Sequence, residues 1–349
     1  MYSVTVVVVV LFVLVTIASA FGVQQLREYV IKRSILDIPN ARSSHSVPTP
    51  RGGGLLIVTF VLCGLVIYLI ALARTGYMPL LAYIVGGGLI AGISWLDDLK
   101  TLSSKLRFAV HFIAAILILI ALGYWDNVYM PIVGTVSLGW VGAIFTLIWI
   151  IGLTNAFNFM DGIDGIAGSQ ALIAGLGWCG AGLWFDIPLI TWWGMLIAAS
   201  SLGFLRHNWH PAKIFMGDVG SAFLGYSFAV LPLFMNQLAA SPVDQQKSFF
   251  LGLLLLWPFV IDAFSTFLKR LLRGENVLSA HREHLYQRLI ILGRTHDSVA
   301  KLYAALAMTG AGLAFWWISA EISFLPLIIV WFSLIVSLFS YVGYKERKT

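Results

Sequence analysis

Carboxylate and carboxamide side chains gather where apolar stretches of this chain give way to loops. Asp97 and Asp98 stand next to each other at one such junction. At another, Asn155, Asn158 and Asp161 follow at three-residue spacings, which align side chains on one face of a helix. Adjacent carboxylates repel one another, and a divalent cation or neighbouring basic residues would relieve the repulsion. Because Mg²⁺ is commonly held by one or two carboxylates together with substrate phosphates, both clusters indicate a metal and phosphate site.

Two more acidic residues, Asp164 and Asp218, lie beside glycines at the beginning of apolar stretches. Gly162 and Gly165 permit a tight turn and a close approach of the backbone to a ligand. Either acid could instead cap a helix, since the helix dipole favours negative charge at the N-terminus. Capping explains one such residue, but it does not explain the four polar side chains of the segment that begins at Asn155.

Two loops rich in basic residues could hold phosphate. One contains His281, Arg282 and His284; arginine offers forked donors to phosphate, and histidine can add another. A basic amphipathic helix on anionic lipid also explains that loop, and the two explanations are compatible. The other loop carries His45 and Arg51 among three prolines and three glycines. We expect it to close over a ligand, with a flexible linker as the alternative.

The chain that carries these residues is too apolar for a soluble domain. Of its 349 residues, 59% are hydrophobic and 11% charged, and the mean hydropathy is +0.89. Soluble domains have about a quarter of their residues charged. A bilayer removes the need for a polar surface, because lipid solvates apolar side chains. Cys63 and Cys179 lie in apolar runs without neighbours at metal-ligand spacing, so no disulfide framework is predicted.

About eleven stretches are long enough to cross a membrane, which takes roughly 20 mainly apolar residues. They lie at about residues 3–22, 53–73, 79–96, 108–124, 136–153, 166–185, 188–205, 219–236, 248–268, 299–319 and 323–343. The first is not expected to be a cleaved signal peptide, because no basic residue precedes it. The positive charges follow that stretch, which predicts an N-terminus outside the cell.

The positive-inside rule supports this count. Of the 22 Lys and Arg, only Arg74 and Lys247 fall on the outer side, so the C-terminus is cytoplasmic. The predicted fold is an all-α polytopic membrane protein, with residues 1–349 forming a single integral membrane domain. The cytoplasmic loops with candidate catalytic residues are expected at about residues 23–52, 97–107, 154–165, 206–218 and 269–301. Basic charge in these loops anchors the chain at the lipid bilayer, which argues against nucleic acid as a partner.

A few ionisable residues stand apart from these clusters. His111 and Asp262 fall inside predicted spans, where an ionisable group is a functional candidate by default. His111 could simply pair with a neighbour within the helix bundle. His207 and His210 could lie at the membrane interface or face a substrate.

In order and loop position, the motifs between about residues 37 and 290 resemble those of the polyprenyl-phosphate N-acetylhexosamine-1-phosphate transferases. The resemblance is strongest to the bacterial enzymes that start O-antigen chains. It implies transfer of a HexNAc-1-phosphate from a UDP-sugar to undecaprenyl phosphate, with release of UMP. The lipid product would be the first intermediate of an envelope polysaccharide such as O-antigen. It further implies Mg²⁺ as cofactor, with Mn²⁺ as a substitute, and an active site on the cytoplasmic face of the bacterial inner membrane.

The same resemblance implies roles for individual residues. Asn158 and Asp218 would bind the metal. Asp97 and Asp98 would act at the lipid phosphate, and Asp161 would serve the same ion or a catalytic contact. A phosphate nucleophile is already ionised near neutral pH, so which of the adjacent pair takes a proton, if either does, stays open. The substrate-binding residues would be Asn155, Asp164, His281, Arg282, His284, His45, Arg51 and Lys105.

Several questions stay open at this level. Many relatives carry a His-x-His pair where this chain has His284-Leu285-Tyr286, and this version is more like the subgroup that uses FucNAc or QuiNAc. The sugar, the polyprenyl length and the oligomeric state are therefore not assigned, and a homodimer is one option. A secondary transporter is the main alternative, although transporters usually place their charges near the bilayer midplane. A non-catalytic scaffold would leave the clustered acids without a role.

Overall fold

Long apolar helices make up most of the protein, which a computed structural model describes over residues 2–39, 47–71, 77–100, 102–130, 133–276, 281–319 and 325–347. The helices are α1 (Tyr2–Lys32), α2 (Leu55–Ala71), α3 (Tyr77–Lys100), α4 (Ser104–Leu122), α5 (Val141–Phe159), α6 (Ile166–Trp184), α7 (Pro188–Asn208), α8 (Asp218–Leu238), α9 (Pro242–Leu272), α10 (Leu285–Ile291), α11 (His296–Ser319) and α12 (Leu325–Glu346). Two antiparallel hairpins pair β1 (Leu36–Asp37) with β2 (Thr49–Pro50), and β3 (Asn127–Met130) with β4 (Gly134–Ser137).

Among the described residues, nine helices are long and apolar enough to cross a membrane, namely α1, α3 to α9 and α11. The apolar α2 has 17 residues, and α12 coincides with the last predicted span. All eleven predicted spans overlap a helix. The prediction of an all-α polytopic membrane protein is therefore confirmed, while the count of eleven and the orientation stay predictions. The short α10 lies in a loop and was not predicted.

One predicted span begins too early. Residues 136–153 were expected to be helical, but β4 occupies residues 134–137 and α5 begins at Val141. Thr135 and Val136 are β-branched residues, which favour extended structure, and they pair with Tyr129 and Val128 of β3. The hairpin thus occupies apolar sequence that hydropathy alone assigns to a span.

The buried centre of the bundle is α8. Nearly all of its side chains are buried, and it packs against α3, α5 and α9. On one side α6 and α7 pack closely together, α1 lies along α7, and α11 lies along α6 and α9. Many apolar side chains of α1 are exposed, as expected for a lipid-facing helix.

Small residues and buried hydrogen bonds hold the helices together, as expected where lipid solvates apolar surface as well as a neighbouring helix does. A Cβ added to Gly175 of α6 would lie 2.8 Å from the backbone nitrogen of Ala198 in α7. The Tyr83 hydroxyl lies 2.7 Å from that of Ser227, which joins α3 to α8. These contacts make the bundle a rigid support for the loops at its end.

Backbone hydrogen bonds join the loop before α2 to the loop before α8. The N–H groups of Gly53 and Gly54 donate to the carbonyl oxygens of Phe215 and Met216, each at 2.9 Å. Phe215 N–H donates in return to the Pro50 carbonyl at 2.8 Å. The glycine-rich segment is therefore ordered against the end of the helix that carries Asp218.

Candidate functional site

The ends of several helices surround one polar cavity. It is lined by Asp37, Arg51, Asp98, Asn158, Asp161, Gly162, Ile163, Asp164, Asn208, Phe215, Met216, Gly217, Asp218, Gln287 and His296. Five of these side chains are carboxylates. So many carboxylates in a half-enclosed space favour the binding of cations.

The N-terminus of α8 is capped from another helix. The N–H groups of Asp218 and Val219 donate to the two carboxylate oxygens of Asp98, each at 3.1 Å. Gly217 adopts a φ of +77°, a conformation that glycine reaches without steric cost. An added Cβ there would also lie 2.6 Å from Asp98 Oδ2. Asp98, and not Asp218, is therefore the capping residue, which leaves the Asp218 side chain available to the cavity.

Arg107 links two of the predicted site residues. Its Nη1 lies 2.7 Å from Asp97 Oδ2 and 2.7 Å from Asp218 Oδ2. The Asp97 carboxylate also accepts a hydrogen bond from the Leu102 N–H. The repulsion expected between neighbouring acids is thus relieved partly by an arginine from the next helix. Of the two acids that Arg107 contacts, Asp218 lines the cavity and Asp97 does not.

Asn158 and Asp161 stand at the C-terminal end of α5, next to the start of α8. The Asn158 Nδ2 donates to the Ser221 hydroxyl at 2.9 Å, which joins α5 to α8. In the described part of the chain, no donor lies within hydrogen-bonding distance of the Asp161 carboxylate. Burial raises its pKa well above the ordinary value, and the negative charges of Asp218 and Asp98 raise it further. A divalent cation would remove this penalty.

The Asp164 carboxylate has a different environment. His210 Nδ1 lies 2.7 Å from its Oδ2, and His296 Nδ1 lies 3.4 Å from its Oδ1. The Ala212 N–H donates to Oδ2 at 3.1 Å. Burial alone would raise the pKa of Asp164, but the hydrogen bonds from His296, His210 and Ala212 outweigh it and lower the pKa. Asp164 is therefore held as a fixed negative charge.

Asp262, which lies in α9, is fully buried yet does not line the cavity. Its carboxylate accepts hydrogen bonds from the N–H groups of Leu285 at 2.8 Å and Tyr286 at 3.2 Å, and from the Tyr303 hydroxyl at 2.5 Å. Nδ1 of His284 lies 3.2 Å away. Asp262, which the sequence identified as a functional candidate inside a membrane span, thus anchors the N-terminus of α10.

The helix that Asp262 anchors, α10, contacts both the end of α5 and the cavity. The Tyr286 hydroxyl donates to the Phe159 carbonyl at the end of α5, at 2.9 Å. Gln287, one position further along α10, lines the cavity. The position of α10 therefore influences the segment that carries Asn158 and Asp161.

The loop before α10 contains the predicted phosphate-binding residues. His281 and His284 pack with ring centroids 4.9 Å apart. Burial lowers the pKa of His281 to about 4, and the neighbouring His284 and Arg270 add to the shift. His281 is therefore neutral at neutral pH. The Arg282 Nε is buried and has no hydrogen-bond partner among the described residues, so this side chain has capacity for a further acceptor.

The predicted site residues fall into three groups. Those that line the common cavity are Arg51, Asp98, Asn158, Asp161, Asp164 and Asp218. Those with positions outside its lining are Asp97, Lys105, Asn155, His281, Arg282 and His284. The third group is His45, which lies outside the described residues. Among the second group, the Asn155 Nδ2 donates to the Ile151 carbonyl of its own helix at 2.7 Å.

Sequence reasoning did not identify His296 and did not rank His210 or Arg107 among the site residues. No motif surrounds His296, which begins an ordinary amphipathic segment after Thr295. Only Arg107 could have been found from the sequence, because it closely follows the adjacent acids Asp97 and Asp98 and could pair with them. The two histidines reach Asp164 only through the packing of distant segments.

The donors at the cavity centre fit a hard cation. Asn158, Asp161 and Asp218 offer carboxylate and carboxamide oxygens, the ligands that Mg²⁺ prefers. The Asp161 carboxylate is the observation that favours such an ion, since this half-buried charge has no protein donor among the described residues. This donor set therefore suits a hard divalent cation such as Mg²⁺.

Residues 80–236 match the family model described as glycosyl transferase family 4. This range contains the adjacent acids of α3, the end of α5 and the start of α8. It excludes the loop that holds His281, Arg282 and His284.

Relatives extend the similarity over most of the chain. A Bacillus subtilis (strain 168) protein described as probable undecaprenyl-phosphate N-acetylglucosaminyl 1-phosphate transferase is 31% identical over 87% of this chain and 85% of its own length. A decaprenyl-phosphate N-acetylglucosaminephosphotransferase of Mycolicibacterium smegmatis is 33% identical over 85% of this chain and 79% of its own. A phospho-N-acetylmuramoyl-pentapeptide-transferase of Staphylococcus epidermidis is 29% identical over 54% of this chain and 63% of its own.

Proposed function

The chain belongs to glycosyl transferase family 4, and from that premise we propose that it transfers a HexNAc-1-phosphate from a UDP-sugar to undecaprenyl phosphate. The named relatives are polyprenyl-phosphate sugar-1-phosphate transferases, and the chain is a multi-pass membrane protein. The observation that carries the proposal is the cavity in which Asn158, Asp161 and Asp218 converge at the ends of apolar helices. This arrangement suits a reaction between a membrane lipid and a polar donor.

In the proposed reaction, an oxygen of the lipid phosphate forms a bond to the sugar-proximal phosphorus of the UDP-sugar. The bond from that phosphorus to the bridging oxygen of the diphosphate breaks, and UMP leaves with the electron pair. Both reactants are anions, so the main need is charge neutralisation and positioning. Mg²⁺, when bound by Asn158, Asp161 and Asp218, would supply that neutralisation.

The acids at the start of α8 have distinct proposed tasks. Asp98 holds the N–H groups of Asp218 and Val219, which keeps the Asp218 side chain directed to the cavity. Arg107 holds Asp97 and Asp218 in one ion-pair network. We assign Asp97 and Asp98 to the lipid phosphate end of the site, as electrostatic organisers. Neither needs to remove a proton, since the phosphate is ionised near neutral pH.

The nucleotide sugar would lie against Asp164 and Arg51, which both line the cavity. Asn155 and Lys105 are proposed as contacts outside the lining, and His45, which lies outside the described residues, as a further contact. Arg282 is the proposed ligand of the diphosphate, with His281 and His284 supporting its loop. The buried, unpartnered Nε of Arg282 supports this assignment.

The biological setting is also a proposal. We propose that the cavity lies on the cytoplasmic face of a bacterial inner membrane, a position that the distribution of Lys and Arg supports. The product would begin an envelope polysaccharide such as O-antigen. The names of the relatives specify N-acetylglucosamine, whereas the altered motif at His284-Leu285-Tyr286 keeps FucNAc and QuiNAc as candidate sugars.

The test is release of UMP by the purified protein with undecaprenyl phosphate and Mg²⁺. A panel of UDP-GlcNAc, UDP-FucNAc and UDP-QuiNAc would be offered, and the lipid product would be weighed by mass spectrometry. We expect one donor to give a polyprenyl diphosphate sugar and to require the divalent ion. Failure of every donor to release UMP, with folded protein confirmed by size-exclusion chromatography, would refute the proposal.

A further inference from the structure

Two histidines and a carboxylate meet beside the cavity, where Asp164 and His296 are lining residues and His210 is not. His210 Nδ1 lies 2.7 Å from Asp164 Oδ2, and His296 Nδ1 lies 3.4 Å from Asp164 Oδ1. The two imidazole rings are 5.5 Å apart between centroids. One donor atom from each residue lies within 4.8 Å of those of the other two, a spacing that small side-chain shifts would convert into three ligands around one ion.

The chemistry of these donors differs from that of the magnesium site. Two imidazole nitrogens and one carboxylate oxygen suit Zn²⁺ and the neighbouring transition metals better than Mg²⁺. We propose that Asp164, His210 and His296 form a second metal site, which takes Zn²⁺ or Co²⁺. Three protein ligands leave a fourth position for water or for a substrate group.

The surroundings of the three ligands favour metal binding. Asp164 is buried and the His296 side chain is only 12% exposed, whereas the His210 side chain is 41% exposed, which gives an ion a route in from solvent. The Ala212 N–H donates to the Asp164 carboxylate at 3.1 Å and fixes its orientation. Hydrogen bonds that orient a metal ligand in this way raise metal affinity in many proteins.

A second contact brings the two histidines together. The Trp209 indole N–H donates to Asp297 Oδ1 at 3.1 Å. Trp209 is adjacent to His210, and Asp297 is adjacent to His296, so this hydrogen bond ties the loop after α7 to the start of α11. The ligands therefore come from three separate segments that hydrogen bonds from Trp209 and Ala212 hold together.

Occupation of this site would affect the cavity, because Asp164 and His296 both line it. An ion that holds the Asp164 oxygens would withdraw them from the nucleotide sugar. We therefore expect Zn²⁺ to act as an inhibitor that raises the KM for the donor. This consequence rests on the proposed function, whereas the metal site itself does not.

The site is tested first by Co²⁺ binding to the full-length protein in detergent, after treatment with EDTA. Visible absorption reports Co²⁺ bound by nitrogen ligands. We expect one equivalent to bind, with the absorption retained in excess Mg²⁺ and lost on addition of Zn²⁺. His210→Gln and His296→Gln should each weaken binding at least about 100-fold, since each removes a direct ligand.

Asp218→Asn is the matched control, because it changes the oxygen-donor centre and leaves the three ligands intact. It should bind Co²⁺ as the wild type does. Size-exclusion profiles without metal establish that each variant is folded, and the two histidine substitutions, on different segments, give independent tests. The site would be overturned by any of three results. The wild type binds no Co²⁺, both histidine variants bind Co²⁺ as tightly as the wild type, or only Asp218→Asn loses binding.

The consequence for the reaction is tested by UMP release at fixed Mg²⁺ with increasing Zn²⁺. Each protein is compared with its own zinc-free rate. We expect the KM for the UDP-sugar to rise at least about 10-fold with kcat little changed, and His210→Gln to abolish that rise. A constant KM in a protein that binds Co²⁺ overturns the inhibitory role. Absence of UMP at every Zn²⁺ concentration refutes the proposed function and leaves the Co²⁺ result standing.

Discussion

Asp98 and Asp262 are buried carboxylates that do the same structural task in two regions of the molecule. Asp98 accepts two backbone N–H groups at the start of α8, and Asp262 accepts two at the start of α10. Each lies in a long apolar helix and caps another helix. Their surroundings differ, since Asp98 lines the cavity, whereas Asp262 is enclosed by donors from α10 and by the Tyr303 hydroxyl.

The difference shows how to interpret an acidic residue in a membrane helix. Asp262 is satisfied by the protein, so its charge is used entirely in holding α10 in position. Asp98 lines an acidic cavity together with other carboxylates. One of these, Asp161, has no protein donor in the described part of the chain. The number of donors around a carboxylate therefore separates a structural acid from one with capacity for a ligand.

The largest effect is expected from Asp218→Asn, which tests the cavity region. Removing the charge should lower turnover about 100- to 1000-fold, because a carboxylate that would hold the charge-neutralising Mg²⁺ ion is lost. The measurement is UMP release at saturating Mg²⁺, with Glu28→Gln as an exposed acid-to-amide control. Near wild-type turnover in a folded Asp218→Asn protein would remove Asp218 from the proposed metal site.

Asp262→Asn tests the enclosed region. It converts a carboxylate acceptor into an amide and leaves some of the buried donors unpaired. A destabilisation of about 2–3 kcal/mol is expected, seen as a lower thermal midpoint in detergent. Asp98→Asn should cost about 1 kcal/mol, as for other helix caps, but should reduce turnover more. The distinction between the two acids would be wrong if Asp98→Asn lost more stability than Asp262→Asn and Asp262→Asn lost more turnover than Asp98→Asn.

Tyr286→Phe probes the link between the two regions. It removes only the hydrogen bond from the Tyr286 hydroxyl to the Phe159 carbonyl. We expect a loss of stability of about 1 kcal/mol and a raised Mg²⁺ requirement, because the end of α5 is less firmly held. Tyr303→Phe removes a hydroxyl bonded to Asp262 instead and serves as the matched control. An unchanged Mg²⁺ dependence in Tyr286→Phe would show that this hydrogen bond does not influence the cavity.

The smallest effect is a pH dependence of stability at His281. Its pKa is lowered to about 4 in the folded protein, against an ordinary value near 6.5. Between these values the unfolded chain binds more protons, so stability rises with pH across this window and falls as pH drops through it. The thermal midpoint of the wild type should therefore fall more between pH 6.5 and 4 than that of His281→Gln. Equal falls would show that His281 is not held neutral.

Much of the cavity could be predicted from the sequence. Six residues were expected at one metal and phosphate site because they stand at helix–loop junctions on the same predicted side of the membrane, namely Asp97, Asp98, Asn158, Asp161, Asp164 and Asp218. The structure brings all of them except Asp97 to one cavity. Junctions on one side of a bundle are confined to a thin layer, so charge placement alone brings such residues near one another.

Residues that reach the site over long distances could not be predicted in this way. His296 is 132 positions from Asp164, and Arg107 is 111 positions from Asp218. The sequence around each residue does not indicate which distant residue it contacts. The partners follow from which helices pack together, and many packings are compatible with the same apolar segments.

The sequence by itself determined the helical membrane fold and the gathering of acids at the ends of its helices. Those properties depend on local composition, since apolar length decides membrane insertion and flanking charge decides orientation. Only the tertiary structure decided that Asp98 caps α8, that Asp262 anchors α10 and that His210 and His296 hold Asp164. A carboxylate takes its role from the donors that long-range packing brings to it, and those donors lie far away in the chain.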